Sequence, residues 1–134
     1  FMSNVEKVNE FLDKAKTFYF LTTDGTQPKG RPFGFHMLVD DKLYFGCGTF
    51  KNVYKQLVAN PKVEVLALAG DEFLRYDGQA KVVKDDALLA KVREIMPQIM
   101  DIYDKNGWEM GLFYLEKGHA EIRGMLDLIE EFPV

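Results

Sequence analysis

Residues 43–61 read LYFGCGTFKNVYKQLVANP. Leu43, Tyr44 and Phe45 are strand formers. Gly46-Cys47-Gly48 lets the backbone turn sharply or approach a ligand closely. Thr49 is a good N-cap residue. Phe50, Val53, Leu57 and Val58 then fall at helical spacing on one side. Asn60-Pro61 ends the helix, because proline disfavours helical geometry in the residue before it. The stretch predicts a strand, a turn, a helix and a hard stop. Such a helix start leaves amide groups free near Lys51 and Asn52, and these attract an anion. Lys51 adds a full charge and Thr49 a hydroxyl. Two readings stand side by side: a cradle for one phosphate, or an ordinary capped helix with a solvated lysine. No P-loop or dinucleotide fingerprint is present.

Upstream, Ser3-x-x-Glu6 is a capping-box pattern. Val5, Val8, Leu12 and Ala15 follow at helical spacing, which predicts a helix over Asn4 to Lys16. Thr17 to Thr23 is β-branched and aromatic, hence a strand. Asp24-Gly25, Pro28 and Gly30 mark a loop. Arg31 to Val39 reads as a second strand, with Gly34 a bulge or a point of close backbone approach. Asp40-Asp41 is a tight turn into Lys42 to Phe45.

Downstream, Val63 to Ala69 is a mostly buried strand, and Gly70-Asp71 a turn. Glu72 to Val83 is a long strand that Asp77-Gly78 bends. Asp85 or Asp86 caps a helix whose apolar side is Leu88, Leu89, Val92, Ile95, Met96 and Ile99. Pro97 kinks or ends it. Asp104 to Gly107 is a polar turn. Met110 to Arg123 is a last strand, or two short strands around Lys117-Gly118. About six strands with three peripheral helices predict a mainly β chain, a small antiparallel barrel with helical additions.

With 134 residues and no linker or repeat, residues 1–134 form a single domain. That length supports a core without disulfide or metal staples. The apolar fraction of 47% argues against disorder. A net charge of −4 gives no reason to expect nucleic acid as a partner. Cys47 is the only cysteine, so no internal disulfide forms; this fits a reducing cytoplasm. The sequence shows no signal-peptide pattern and no apolar run long enough to span a bilayer, so a cytoplasmic chain with no membrane partner is expected. Met2 reads as an initiator, with Phe1 an added residue.

His36 lies in an apolar strand. It reads either as a hydrogen-bonded core residue or as a proton donor facing a ligand. If Phe33 and Phe35 point into the core, alternation turns Gly34 and His36 towards the ligand. His119 follows a glycine turn and reads as a surface residue. Two histidines and one cysteine are too few and too scattered for a metal site. Cys47 reads as a small packed residue, reactive only if the helix start lowers its pKa. Trp108 follows Asn106-Gly107 and either packs at a core edge or stacks on a planar ligand.

The order of these features resembles a known family. Gly30-Arg31-Pro32-Phe33 opens a strand, and Leu43-Tyr44-Phe45 closes a hairpin. Thr49 and Lys51 open a helix that ends at Asn60-Pro61. Lys62-Val63-Glu64-Val65 then starts a strand, and Tyr76-Asp77-Gly78-Gln79-Ala80 lies in the next. The chain looks like the pyridoxamine 5′-phosphate oxidase-like FMN-binding split-barrel proteins, especially the branch with the nitroimidazole-resistance flavoproteins. The resemblance runs from the first helix to about Arg123. It implies a six-stranded antiparallel split β-barrel of Greek-key type, and a homodimer with one FMN per subunit at the interface.

By the same resemblance, Thr49, Lys51 and Asn52 hold the FMN phosphate, with Arg31 a second candidate. Pro32, Phe33, Gly34 and Phe35 line the ring system, as do Phe45, Gly46 and Cys47. Arg75 and Trp108 are candidates for cover from the second subunit, and His36 for proton donation. The implied activity is reduction of a small organic substrate, such as a nitroaromatic, by an FMN-dependent oxidoreductase. Two departures bear on vitamin B6 oxidation. The family's Ser-Arg-Lys run is here Thr49-Phe50-Lys51, and the last ten residues are acidic with no arginine. Some relatives bind haem or a deazaflavin on the same fold.

Overall fold

The computed structural model describes residues 1–134. Helix α1 (Asn4–Ala15) leads to strands β1 (Phe18–Asp24), β2 (Gln27–Phe33), β3 (Met37–Val39) and β4 (Lys42–Gly48). Helix α2 (Asn52–Ala59) precedes the long pair β5 (Lys62–Ala69) and β6 (Glu72–Val83). Helices α3 (Asp86–Ile95) and α4 (Pro97–Asn106) lead to β7 (Met110–Arg123) and β8 (Leu128–Pro133). The strands pair in the order β2-β1-β5-β6-β7-β4-β3, with β8 on the far half of β7. All pairings are antiparallel. The sheet is open, with β2 and β3 at its two ends, and the expected mainly β split-barrel architecture is the one observed.

Local chemistry accounts for most element ends. Ser3 Oγ accepts from the Glu6 amide at 3.3 Å, and Glu6 Oε1 accepts from the Ser3 amide at 2.9 Å. This is the predicted capping box. Asp40 and Asp41 both have positive φ, 49° and 63°. Two such residues make the type I′ turn that joins β3 to β4. Asp85 caps α3 by accepting from the Ala87 and Leu88 amides. A Cβ on Gly78 would lie 2.9 Å from the Glu116 carbonyl oxygen. The β6–β7 register shifts at that glycine, so the strand bends where Asp77-Gly78 predicts.

The barrel interior is filled by aromatic rings. Phe20 stacks on Phe33 at 5.1 Å between centroids and meets Phe113 at 5.2 Å. Phe45 meets Phe18 at 5.7 Å and Phe113 at 5.8 Å. One ring cluster thus ties β1, β2, β4 and β7 together across the interior. A second core lies outside the barrel wall. There Leu88, Val92, Met100 and Tyr103 of the helical pair cover Met37, Tyr44, Met110 and Leu112.

Several boundaries differ from the sequence reading. The loop expected between Asp24 and Gly30 is mostly strand, because the turn closes within Gly25-Thr26 and β2 pairs back on β1 from Gln27. The single strand expected over Arg31 to Val39 is two strands on opposite ends of the sheet. It is interrupted at Gly34-Phe35-His36. The last strand is one element, although Lys117 takes a positive φ of 51°. Proline ends α3 and begins α4, so four helices form, and Asp104 to Asn106 belong to the last turn of α4. Gly107 at φ 66° closes that helix. The acidic tail forms β8, with Lys7 of α1 paired to Glu130.

Candidate functional site: the start of α2

The strand-to-helix turn after β4 gathers the phosphate-cradle candidates. Thr49 is not the N-cap. Lys51 occupies that position, in extended backbone and without a side-chain cap bond. The Thr49 amide instead donates to the Glu109 carbonyl at 2.9 Å, which pins the turn to the start of β7. The Lys51 amide donates to the Gly48 carbonyl, whereas the amides of Asn52 and Val53 find no acceptor in the protein. These are the donors that a helix start normally satisfies with a cap. Lys51 forms no ion pair. The turn therefore presents two free amides, one ammonium and the Thr49 hydroxyl.

Arg31 reaches α2 from the other side. It pairs directly across from Phe20, so the two share a face of the sheet. Its guanidinium donates to the Phe20 carbonyl at 3.1 Å and to Thr22 Oγ1 at 2.7 Å. It also donates to Gln56 Oε1 of α2 at 2.8 Å, and Thr22 Oγ1 donates to that same oxygen at 2.6 Å. All these acceptors are neutral, and burial pulls the Arg31 pKa down. A partly buried cation held by neutral groups favours a nearby anion. Cys47 lies within the fields of both Arg31 and Lys51. Burial nonetheless pushes its thiol up to about 12, so it is a packed residue and not a nucleophile.

The ring-lining candidates are placed less uniformly than expected. Phe45 and Cys47 are buried in the barrel core, and Phe33 stacks on Phe20 inside it. The Phe45 and Cys47 side chains are closed off in this packing, whereas Phe33 stays half-buried. The space over Gly46 is occupied by Met110, Leu112 and Phe35. Gly34 is open, with nothing within 4 Å of where a Cβ would sit. Pro32 lies on the outer face of the sheet. The register runs Pro32, Tyr19, Leu66, Arg75 across β2, β1, β5 and β6, so Arg75 shares that face. Arg75 lies 3.8 Å from Glu121. Trp108 sits beside the α2 turn, with its ring 4.7 Å from Phe50 and 5.6 Å from Tyr103.

His36 does not face outward as strand alternation predicts. The break at residues 34–36 cancels the alternation. Its Nδ1 lies 2.7 Å from Asn9 Oδ1, and its Nε2 lies 3.1 Å from Asp13 Oδ1. Both ring nitrogens are thus engaged by α1.

Sequence reasoning missed Thr22, Gln56 and Tyr54. Gln56 lies four residues after Asn52, one helical turn on, which is a readable signal. Thr22 gave none, because its partner depends on sheet pairing. Two cavities flank α2. An open groove of about 590 Å³ runs beside Asn52, Lys55, Gln56 and the Asp24-Gly25 turn. A smaller cavity of about 140 Å³ lies between Tyr54, Lys84, Leu89 and Glu109.

A family model described as pyridoxamine 5′-phosphate oxidase matches residues 5–123. No curated protein matches the chain by sequence. Among solved structures, a NimC/NimA family protein from Clostridium acetobutylicum is 27% identical with a TM-score of 0.88. That alignment covers 99% of this chain and 95% of the other. General Stress Protein 26 from Bacillus anthracis is 16% identical at TM-score 0.69, over 99% and 100% of the two chains. HutZ, the haem storage protein from Vibrio cholerae, is 17% identical at TM-score 0.64, over 97% and 96%. The last two are likenesses of fold.

Proposed function

The chain belongs to the pyridoxamine 5′-phosphate oxidase family, and from that premise we propose that it is an FMN-dependent oxidoreductase. It acts as a homodimer on a small organic substrate, with a nitroaromatic as the model compound. The observation that carries this reading is the start of α2. Two unpaired amides and an unpaired lysine meet there, and a cation held only by neutral groups lies on the flank of the same helix. That donor set fits a phosphate monoester, which is an anion with several acceptor oxygens.

Bound flavin would supply the electron transfer, and the protein supplies binding, orientation and electrostatics. Lys51, Thr49 and the Asn52 and Val53 amides hold the phosphate. Arg31, fixed by Thr22 and Gln56, adds positive field without moving. Trp108 and Phe50 offer an aromatic wall beside the turn. The outer sheet face carries Tyr19 at 42% and Leu68 at 59% exposure, with half-buried Leu66 opposite Tyr19 and half-buried Phe73 opposite Leu68. This exposed apolar face supports the homodimer reading, in which a second copy of the chain covers it.

Vitamin B6 oxidation is disfavoured by the tail. Glu130 and Glu131 are structural members of β8, held beside Lys7 and His119. Haem ligated by His36 is disfavoured because α1 engages both of its ring nitrogens. The test is the mass of the chromophore released from purified protein, followed by reductive turnover of a nitroaromatic. Release of FMN with turnover is the expected result. Release of haem, or failure to bind FMN at micromolar concentration, overturns the proposal.

A further inference from the structure

Strands β6 and β7 diverge at one end of the sheet. Their last pair is Val83 with Leu112, after which β6 turns away through Lys84 to the cap of α3 at Asp85. Strand β7 begins two residues before that pair, at Met110. Met110 and Gly111 therefore have β4 on one side and no strand on the other. Gly111 brings no side chain, and the Tyr54 ring of α2 closes over it. The divergence leaves a cavity of about 140 Å³ between α2, the start of α3 and the two strand ends.

The floor of this cavity is apolar. Met110 and Leu112 are buried there, and Val83 and Leu89 are half-buried. The solvent side is charged, with the exposed carboxylates of Asp85, Asp86 and Glu109 against the one ammonium of Lys84. Asp85 is spent on the Ala87 and Leu88 amides. Asp86, Glu109 and Lys84 take part in no ion pair. Tyr54 adds a hydroxyl to the wall. Burial, helped by the Glu109 carboxylate, pushes its phenol up, so it stays protonated at neutral pH.

We propose that this cavity binds a small organic cation built on one ring, an amine of the size and shape of benzylamine, with the ring on the apolar floor and the ammonium at Glu109. Size, lining and charge each select that ligand. A cavity of about 150 Å³ holds one benzene ring. An apolar floor with a few polar groups at one end binds the ring and fixes its direction. The rim carries more negative than positive charge, which attracts an ammonium and repels a carboxylate. Lys84 opposes the cation, but its long stem lets its own ammonium stand off in water. An anion of the same shape would find Lys84 alone in its favour. The site lies beside the phosphate seat of α2 and not in it. The Glu109 carbonyl holds the Thr49 amide at 2.9 Å, while the Glu109 carboxylate is left for the ligand.

The test uses the full chain without cofactor, so it stands apart from the flavin proposal. Benzylamine is the probe, and benzoate is its counterpart of opposite charge. Binding is followed by calorimetry and by amide NMR shifts at residues 110–112. Benzylamine should bind in the millimolar range and shift Gly111 and Leu112, and benzoate should do neither. Glu109→Gln should weaken the amine at least about ten-fold, the loss expected of a charge-assisted hydrogen bond. Lys84→Met should tighten it. Leu89→Trp, which fills the floor, should abolish it. If Leu89→Trp does not fold, the opposite shifts in Glu109→Gln and Lys84→Met decide. Benzoate binding as tightly as benzylamine overturns the proposal. So does an unchanged affinity in Glu109→Gln, or the absence of any shift at residues 110–112 with millimolar benzylamine.

Discussion

Gly111 lies directly under Tyr54: a Cβ on the glycine would sit 2.4 Å from Tyr54 Cε1 and 3.1 Å from the Thr49 methyl. The start of β7 and the first turns of α2 are therefore packed backbone against ring. Gly111→Ala should push α2 off the sheet and cost about 1–3 kcal/mol. Gly34→Ala, with open space around the new methyl, should change stability by less than about 0.5 kcal/mol. Urea denaturation of both variants checks the contrast, and equal midpoints would refute the contact.

Lys51→Ala should weaken FMN binding more than Lys55→Ala. Lys51 stands at the uncapped helix start, and Lys55 one turn on lines the open groove. Loss of a charge-assisted contact costs about 1.5–3 kcal/mol. Fluorescence titration of FMN measures both variants. Identical affinities would remove α2 as the phosphate seat.

Cys47 should resist thiol reagents at pH 8 until the protein unfolds. With its pKa pushed up to about 12, the thiolate fraction there is on the order of 10⁻⁴. Arg31 and Lys51 both pull that value down. Arg31→Met and Lys51→Ala should therefore make the folded thiol less reactive, not more. Labelling at the same rate in folded and denatured protein would show that Cys47 is not packed.

The outer face of β1, β5 and β6 should bury itself in a dimer. Leu68→Glu places a charge at the centre of the exposed apolar group with Tyr19, Leu66 and Phe73, and should yield monomers. Sedimentation equilibrium at micromolar concentration reads the outcome. A wild-type monomer with FMN bound would contradict the dimer.

The sequence alone determined the elements whose signals are local. Ser3 and Glu6 cap α1, Asp40-Asp41 turns the hairpin, Asn60-Pro61 stops α2, and Gly78 bends β6. In the first three, backbone geometry or a contact three residues away is enough; at Gly78 the residue type marks the bend, and the close Glu116 carbonyl requires it. It also placed Thr49, Lys51 and Asn52 on one turn, because they are sequence neighbours. Only the tertiary structure decided that Lys51, not Thr49, takes the cap position. Thr49 is drawn away by the Glu109 carbonyl, sixty residues further along the chain. The strand read over Arg31 to Val39 hid a break, since a run of apolar residues has the same pattern whether it serves one sheet end or both. The orientation of His36 was likewise unreadable. Its partners Asn9 and Asp13 lie on α1, which only the curl of the sheet brings to residues 34–36, and that curl runs through the seven strands from β2 to β3.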